Sequence, residues 1–336
     1  MDVGTHVLAS FALTRAAFPR APRAVLPIAL AAGAIADLDE ISAVFGPSAY
    51  LNWHRTYTHS LLTAILLAVL LALLYRLVAS QKLRNLFTFV AIFGLTFLAQ
   101  CLHLLLDLCQ PDGVLLFWPF SAAYIAEDWL TFVDPVILVV LVLAIFLPEL
   151  FRLVSDEIGA RDKKPRGQLS AVIALAAIAL YIGARATLHS NAVAILDSRT
   201  YHGELPRRVA AFPVSTSPLT WNSIVETESA LHEITVSVGQ SSSFNPDAGV
   251  TIHKPEASPV LDAARNDPLA ITFLSVARFP KATIEKTDTG YQAEIRDLRY
   301  TVAGESKREI AALFELNAAG KIVRRELIWA RDLRRR

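Results

Sequence analysis

Long apolar runs dominate the first half of the chain, and short alternating runs dominate its last third. Leu61 to Val78, Leu86 to Leu106 and Leu169 to Leu188 each approach the ~20 residues that a helix needs to cross a bilayer. A fourth run, Phe132 to Leu147, is slightly shorter. It contains Asp134-Pro135, a helix-start signal in which the carboxylate caps and the proline takes the first turn. All four runs are predicted to span the membrane. Thr5 to Phe18 and Ala24 to Ala36 are too short for a comfortable crossing, and Pro19-Arg20-Ala21-Pro22-Arg23 interrupts the chain between them. Residues 5–38 are therefore expected to form a short helical hairpin that dips into the membrane.

After Leu188 the period shortens. His232 to Val238, Ile271 to Ala277, Ala282 to Glu285, Tyr291 to Ile295, Ile310 to Leu316 and Ile322 to Trp329 are predicted to be strands. Asp288-Thr289-Gly290 and Asn317-Ala318-Ala319-Gly320 have the composition of hairpin turns. Pro206 to Pro218, with three prolines, is expected to be a linker leading into this region. The expected architecture is an α-helical multi-pass membrane domain over residues 1–190, followed by a β-rich extracytoplasmic domain over residues 197–336. No internal repeat or low-complexity tract interrupts either part.

Composition agrees with a membrane setting: hydrophobic residues are 54%, charged residues 19%, and mean hydropathy is +0.42. The net charge of +1 averages an almost uncharged stretch over residues 59–150 with an ordinary soluble mixture over residues 197–336. No nucleic-acid partner is expected. The basic residues fall in three connections: Arg15, Arg20 and Arg23; Arg76, Lys82 and Arg84; and Arg152, Arg161, Lys163, Lys164 and Arg166. The positive-inside rule assigns all three to the cytoplasm of an inner (plasma) membrane protein. The chain starts Met-Asp with no basic leader, so no cleaved signal peptide is expected. Cys101 and Cys109 are eight apart, about 12 Å at helical rise, which is too far for a disulfide.

Alternating the spans from these connections brings His6, Asp37, Asp39, His54, His59, His103 and Asp107 to the outer face. The orientation follows from Lys and Arg alone, so the convergence of His and Asp is independent support for one site. Imidazole and carboxylate are the donor set of a divalent cation. His103 and Asp107, spaced i, i+4, project from one helix face and suit a single ion. A hydrogen-bonded packing pair is the alternative, although intramembrane ionisable pairs are costly and usually functional. Asp37-Leu38-Asp39 at a helix end can turn both carboxylates to one cation, or bridge two. In His54-Arg55-Thr56-Tyr57-Thr58-His59-Ser60, Thr58 or Ser60 can cap the following helix. The histidines of that run suit a metal, and Arg55 suits a phosphate or carboxylate. His6 is a lone histidine whose case rests on the convergence. Trp118 and Trp129 fit an interfacial belt, while Glu127 and Asp128 are expected to be solvated loop acids. His189, His202, His232 and His253 lack ligand spacing.

The ordered set Gly-Thr-His (4–6), Ala-Asp-Leu-Asp (36–39), His-Arg-Thr-Tyr-Thr-His-Ser-Leu (54–61) and His-Leu-Leu-Leu-Asp (103–107) with Pro-Asp-Gly-Val-Leu-Leu-Phe-Trp-Pro (111–119) resembles a known family. It is the membrane-bound metal-dependent hydrolase family, an inner-membrane group also described as LexA-binding hydrolases, and the resemblance covers about residues 1–150. It implies metal ligation by His6, Asp37, Asp39, His54, His59, His103 and Asp107, with Arg55 and Ser60 as catalytic positions. Thr56 departs from the family's usual glycine, and Glu40 stands where a histidine often follows the aspartates. More remotely, the His-x-x-x-Asp helix is similar to zinc-dependent phospholipase C and P1 nuclease, which favours phosphate esters.

The expected function is a membrane-bound metal-dependent hydrolase at the outer membrane interface, using one or two divalent ions, zinc by donor type, on a lipid or phosphate-ester substrate. The competing expectation is a metal-stapled membrane anchor whose C-terminal domain binds an envelope partner. A transporter is disfavoured because transport sites lie near the bilayer midplane, whereas these ligands gather at one face.

Overall fold

The computed structural model describes residues 1–157, 167–239, 244–304 and 309–333. The basic cluster Arg161, Lys163, Lys164 and Arg166 lies outside them. The chain divides into two units: residues 1–40 with 53–185, and residues 41–52 with 186–336. The expected division near residue 190 is thus modified by a short insertion. The second half of a 3₁₀ segment (Ala36–Phe45), from Ile41 onward, and helix α3 (Pro47–Trp53) except Trp53, belong to the second unit.

In the first unit, α1 (Val3–Ala17) and α2 (Leu26–Ala34) form the expected hairpin, and a 3₁₀ segment, Ala36–Phe45, follows. The unit continues through α4 (Leu61–Val78), a short α5 (Gln81–Leu86), α6 (Phe89–Leu108), α7 (Pro135–Glu157) and the start of α8 (Gln168–Asp197). A polar side chain starts each of several helices by accepting an otherwise unpaired backbone N–H. Asp2 accepts Thr5 N–H at 2.9 Å, Ser60 accepts Thr63 N–H at 3.2 Å, and Asp134 accepts Val136 N–H at 3.0 Å. Thr88 does the same for α6, which is why that helix starts at Phe89 and residues 81–86 form a helix of their own.

Among the described residues, α4, α6 and α8 are long and apolar enough to cross a membrane. The fourth predicted span lies in α7, which extends from Pro135 to Glu157 and carries Pro148 inside it.

α6 is the central helix of the first unit. On one side Ile92 and Leu95 pack with Val25 and Ala29 of the hairpin and with Ala72 and Tyr75 of α4. On another, Leu106 packs with Ala9 and Ala12 of α1 and with residues of α7 and α8. Ala64, Ala68 and Ala72 recur every four residues along the buried face of α4, so its backbone can come close to α6; the Thr96 hydroxyl reaches the Ala68 carbonyl at 3.3 Å. α1 and α2 are equally close. Ser10 Oγ donates to the Ala29 carbonyl at 2.5 Å, and a Cβ on Gly33 would sit 2.7 Å from the His6 carbonyl oxygen and 2.8 Å from Ser10 Cβ.

The second unit carries two four-stranded antiparallel meanders, β1-β2-β3-β4 and β5-β6-β7-β8. The first comprises β1 (Arg208–Val214), β2 (Ser217–Glu226), β3 (Ala230–Ser237) and β4 (Val250–His253). The second comprises β5 (Pro280–Thr287), β6 (Gly290–Asp297), β7 (Ile310–Asn317) and β8 (Ile322–Trp329). Short helices α9 (Pro259–Arg265), α10 (Pro268–Leu274), α11 (Leu298–Val302) and α12 (Ala330–Leu333) complete it. Tyr50 of α3 packs into the core formed by the second sheet with α9 and α10, and its ring meets Trp329 at 5.3 Å.

Two sequence expectations fail here. The apolar run Ile271 to Ala277 lies largely in α10, because Asp267 caps it, Pro268 fits the first turn, and Ala270 and Phe273 bury one helical face. The supposed linker Pro206 to Pro218 contains β1 and the start of β2; Pro213 is tolerated because β1 is an edge strand and the register shifts beside it.

The close α1–α2 contact generates a prediction. Gly33→Ala forces the two helices apart and is expected to cost about 1–3 kcal/mol, the usual range for overpacking. Thermal unfolding in detergent measures it, and an unchanged midpoint would contradict the contact.

Candidate metal centre

His6 on α1, Asp37 on the 3₁₀ segment, and His103 and Asp107 on α6 each bring a donor atom into a group lying within 4.8 Å of one another. All four are buried. The i, i+4 spacing brings both side chains to one helix face: His103 Nε2 lies 3.2 Å from Asp107 Oδ2. His59, in the turn leading into α4, adds a further donor. Its Nε2 is 3.2 Å from His103 Nε2, 3.2 Å from Asp107 Oδ2 and 3.5 Å from Asp37 Oδ1.

The surroundings select which nitrogen of each ring faces inward. His103 Nδ1 lies 3.0 Å from the Gly33 carbonyl, which can only accept, so Nδ1 carries the proton and the Nε2 lone pair points at the cluster. His59 Nδ1 lies 3.1 Å from the Asp39 carboxylate, with the same consequence. Two imidazole lone pairs facing each other at 3.2 Å repel unless a proton or a metal cation lies between or beside them. Asp37 Oδ2 is buried and has no hydrogen-bond partner among the described residues. His6 stacks on the His103 ring, centroids 3.7 Å apart, with its Nε2 3.2 Å from Asp107 Oδ1. The Met1 amino group also pairs with Asp107.

The other expected residues take positions one layer out. Asp39 accepts the Arg55 backbone N–H at 2.9 Å and the Thr58 hydroxyl, and it faces Nδ1 of both His54 and His59. It therefore orients imidazoles instead of joining the four-residue group. His54 bonds to Asp39 at 3.2 Å and is held 6.4 Å, ring to ring, from His59. Arg55 is buried at a positive φ of 55° and donates to Asp107 Oδ1 at 2.9 Å and to Gln110 Oε1 at 2.8 Å. Ser60 caps α4, and its hydroxyl donates to Thr63. Asp128, expected to be solvated, is buried.

Two contributors were missed by sequence reasoning. Gln110 fixes its amide by donating to the Thr131 and Phe132 carbonyls, so that its oxygen faces Arg55. Its place three residues after Asp107 was the available signal. Gly33 supplies the carbonyl that orients His103, and its signal was being the one glycine in the alanine-rich second arm of the hairpin.

Burial works against charge at both polar residues flanking the centre, and the hydrogen bonds prevail at both. Bonds from His54 and His59 hold the Asp39 carboxyl far below its ordinary range. Bonds to Asp107, Asp37 and Asp39 raise His59 from 6.5 to about 10. Without a metal, His59 is thus the group that takes up positive charge. A pKa raised on folding stabilises the protein fully below the unfolded value of 6.5, and that contribution is lost as pH rises through about 10. The chelated protein is therefore expected to lose thermal stability across this interval, and His59→Gln is expected to flatten the loss. A profile of unchanged steepness in the variant would contradict the assignment.

Comparison with curated proteins and with solved structures finds no match. The family model described as YdjM inner membrane protein matches residues 1–192, a stretch that contains every donor of this centre. That match extends over more than half of the chain, which belongs to the YdjM inner membrane protein family.

Proposed function

We propose that the chain is a membrane-bound metal-dependent hydrolase acting at the outer membrane interface on a lipid or phosphate-ester substrate, with its C-terminal domain extracytoplasmic. The observation that carries the reading is the convergence of His6, Asp37, His59, His103 and Asp107 on one buried point, with the inward nitrogens of His59 and His103 selected by Asp39 and Gly33. Three imidazoles and two carboxylates suit zinc, or a harder divalent ion if a second position is used. Such an ion, when bound, lowers the pKa of water and polarises an ester. The chain's own residues do the rest. Arg55 offsets the charge on Asp107 and lends positive potential to an anionic group brought alongside. Asp39 keeps His59 in one orientation.

The rim supports a lipid as substrate. Phe117, Phe120, Trp53 and Tyr57 are exposed, and Trp53, Tyr57 and Trp118 form an edge-to-face ladder at 5.6 and 5.3 Å. The Leu61 N–H at the start of α4 donates to the Leu116 carbonyl at 3.0 Å, which ties this aromatic loop to the end of an apolar helix, the level at which aromatic side chains favour the membrane interface. The resemblance of the motif set to metal-dependent hydrolases supports the reaction class and implies no substrate.

A second reading, the metal-stapled anchor, is favoured by one observation: His59 and Asp107 are fully buried, as in structural metal sites that leave no open coordination position. Purified protein in lipid nanodiscs, loaded with zinc and assayed against a phospholipid and phosphodiester panel, separates the two. Hydrolysis is expected, with at least one ion bound per chain; metal without turnover across the panel would favour the staple. His103→Ala and Asp107→Asn are each expected to remove metal and activity together, and the double variant should cost little more than either alone, because residues serving one ion are not additive. Unchanged metal stoichiometry in both folded single variants would overturn the site.

A further inference from the structure

Asp112 is the one ionisable side chain in the run Pro111 to Pro119, just beyond the end of α6. The backbone around it fixes its place. Gly113 N–H donates to the Gln110 carbonyl at 3.3 Å, and Val114 and Ile125 exchange two backbone hydrogen bonds at 3.0 Å. Gly113 has a φ of 68°, and a Cβ there would lie 2.6 Å from the Ile125 carbonyl oxygen, so a glycine is what lets the chain turn at this point.

The turn brings Asp112 Oδ2 to 3.8 Å from Arg55 Nη1. The other end of the same guanidinium, Nη2, donates to Asp107 Oδ1 at 2.9 Å and to Gln110 Oε1 at 2.8 Å. Exposure puts the three charged groups in order from the inside outward: the side chain of Asp107 is 0% exposed, that of Arg55 3% and that of Asp112 18%. Nη2 is thus committed to the interior, and Asp112 marks the side of Arg55 nearest solvent. An anionic group that reaches Arg55 from outside arrives beside the Asp112 carboxylate.

Coulomb repulsion grows in proportion to the charge of the arriving group. A carboxylate that weakens a singly charged anion by a given factor therefore weakens a doubly charged one at the same position by the square of that factor. An ion at the donor cluster attracts both kinds of ligand, but the change produced by neutralising Asp112 still scales with the ligand's charge.

We propose that Asp112 is a specificity-determining residue, which stands at the entry side of Arg55 and shifts selection toward a singly charged phosphodiester and against the doubly charged phosphate of a monoester. The assignment rests on the hydrolase reading in giving Arg55 the anionic part of the substrate.

Isothermal titration calorimetry of the zinc-loaded, full-length protein in detergent tests it, with dimethyl phosphate and methyl phosphate as probes. At about pH 8 these carry one and about two negative charges, because the second pKa of a phosphate monoester is about 6. Asp112→Asn keeps the size of the side chain and is expected to tighten dimethyl phosphate about threefold and methyl phosphate about tenfold. Asp112→Glu keeps the charge and is expected to bind both probes as the wild type does. Equal effects of Asp112→Asn on the two probes, unchanged or weaker binding of both with zinc stoichiometry retained, or no binding of either probe by wild type and variant would overturn the proposal. A phosphodiester panel left unhydrolysed by protein that shows the threefold and tenfold shifts would count against the hydrolase reading and for the role of Asp112.

Discussion

The first unit depends on how the Asp107 carboxylate is compensated. It is fully buried near the end of α6, and His6, Arg55, His59 and His103 all turn toward it. An ionised carboxylate in such a setting costs several kcal/mol unless it is paired and hydrogen-bonded. Asp37 and Asp39 add two more buried carboxylates in the same neighbourhood, against the Arg55 guanidinium as the fixed cation. Negative charge is in excess. A proton on His59 offsets part of it and a divalent cation among the donors offsets more, and these alternatives compete for the same nitrogen.

The fold brings these groups together by placing small residues where helices must meet. Gly33 lets α2 lie against α1 and presents its carbonyl to His103, so one glycine serves both packing and ligand orientation. The alanines of α4 do the corresponding work against α6. Because α4 starts and α6 ends at the cluster, the turn carrying His54 to His59 and the His103–Asp107 pair meet at one end of the two helices, while the basic residues Arg76, Lys82 and Arg84 lie in the connection at the other.

Much of this was legible in the sequence because it is written in periodicities and charges. Span α4 matches its apolar run residue for residue, β8 matches Ile322 to Trp329, and the His103–Asp107 spacing required only helical geometry. Less legible was the division of labour among polar residues. Nothing in the order Asp-Leu-Asp says that Asp37 faces the donors while Asp39 faces the backs of two imidazoles; that follows from the 3₁₀ winding after α2. The same limit explains the misread segments. A cap at Asp267 outweighed an apolar pattern in α10, and tolerance of Pro213 depended on β1 being an edge, which only the assembled sheet reveals.

The central claim is that imidazole and carboxylate groups of this cluster ligate a divalent ion. X-ray absorption at the zinc edge of the zinc-loaded, full-length protein tests it most directly. A nitrogen and oxygen shell at about 2.0–2.1 Å with the outer-shell scattering of at least two imidazoles is predicted. An ion surrounded by oxygen alone with no imidazole scattering, or protein that retains no zinc after loading, would contradict the account.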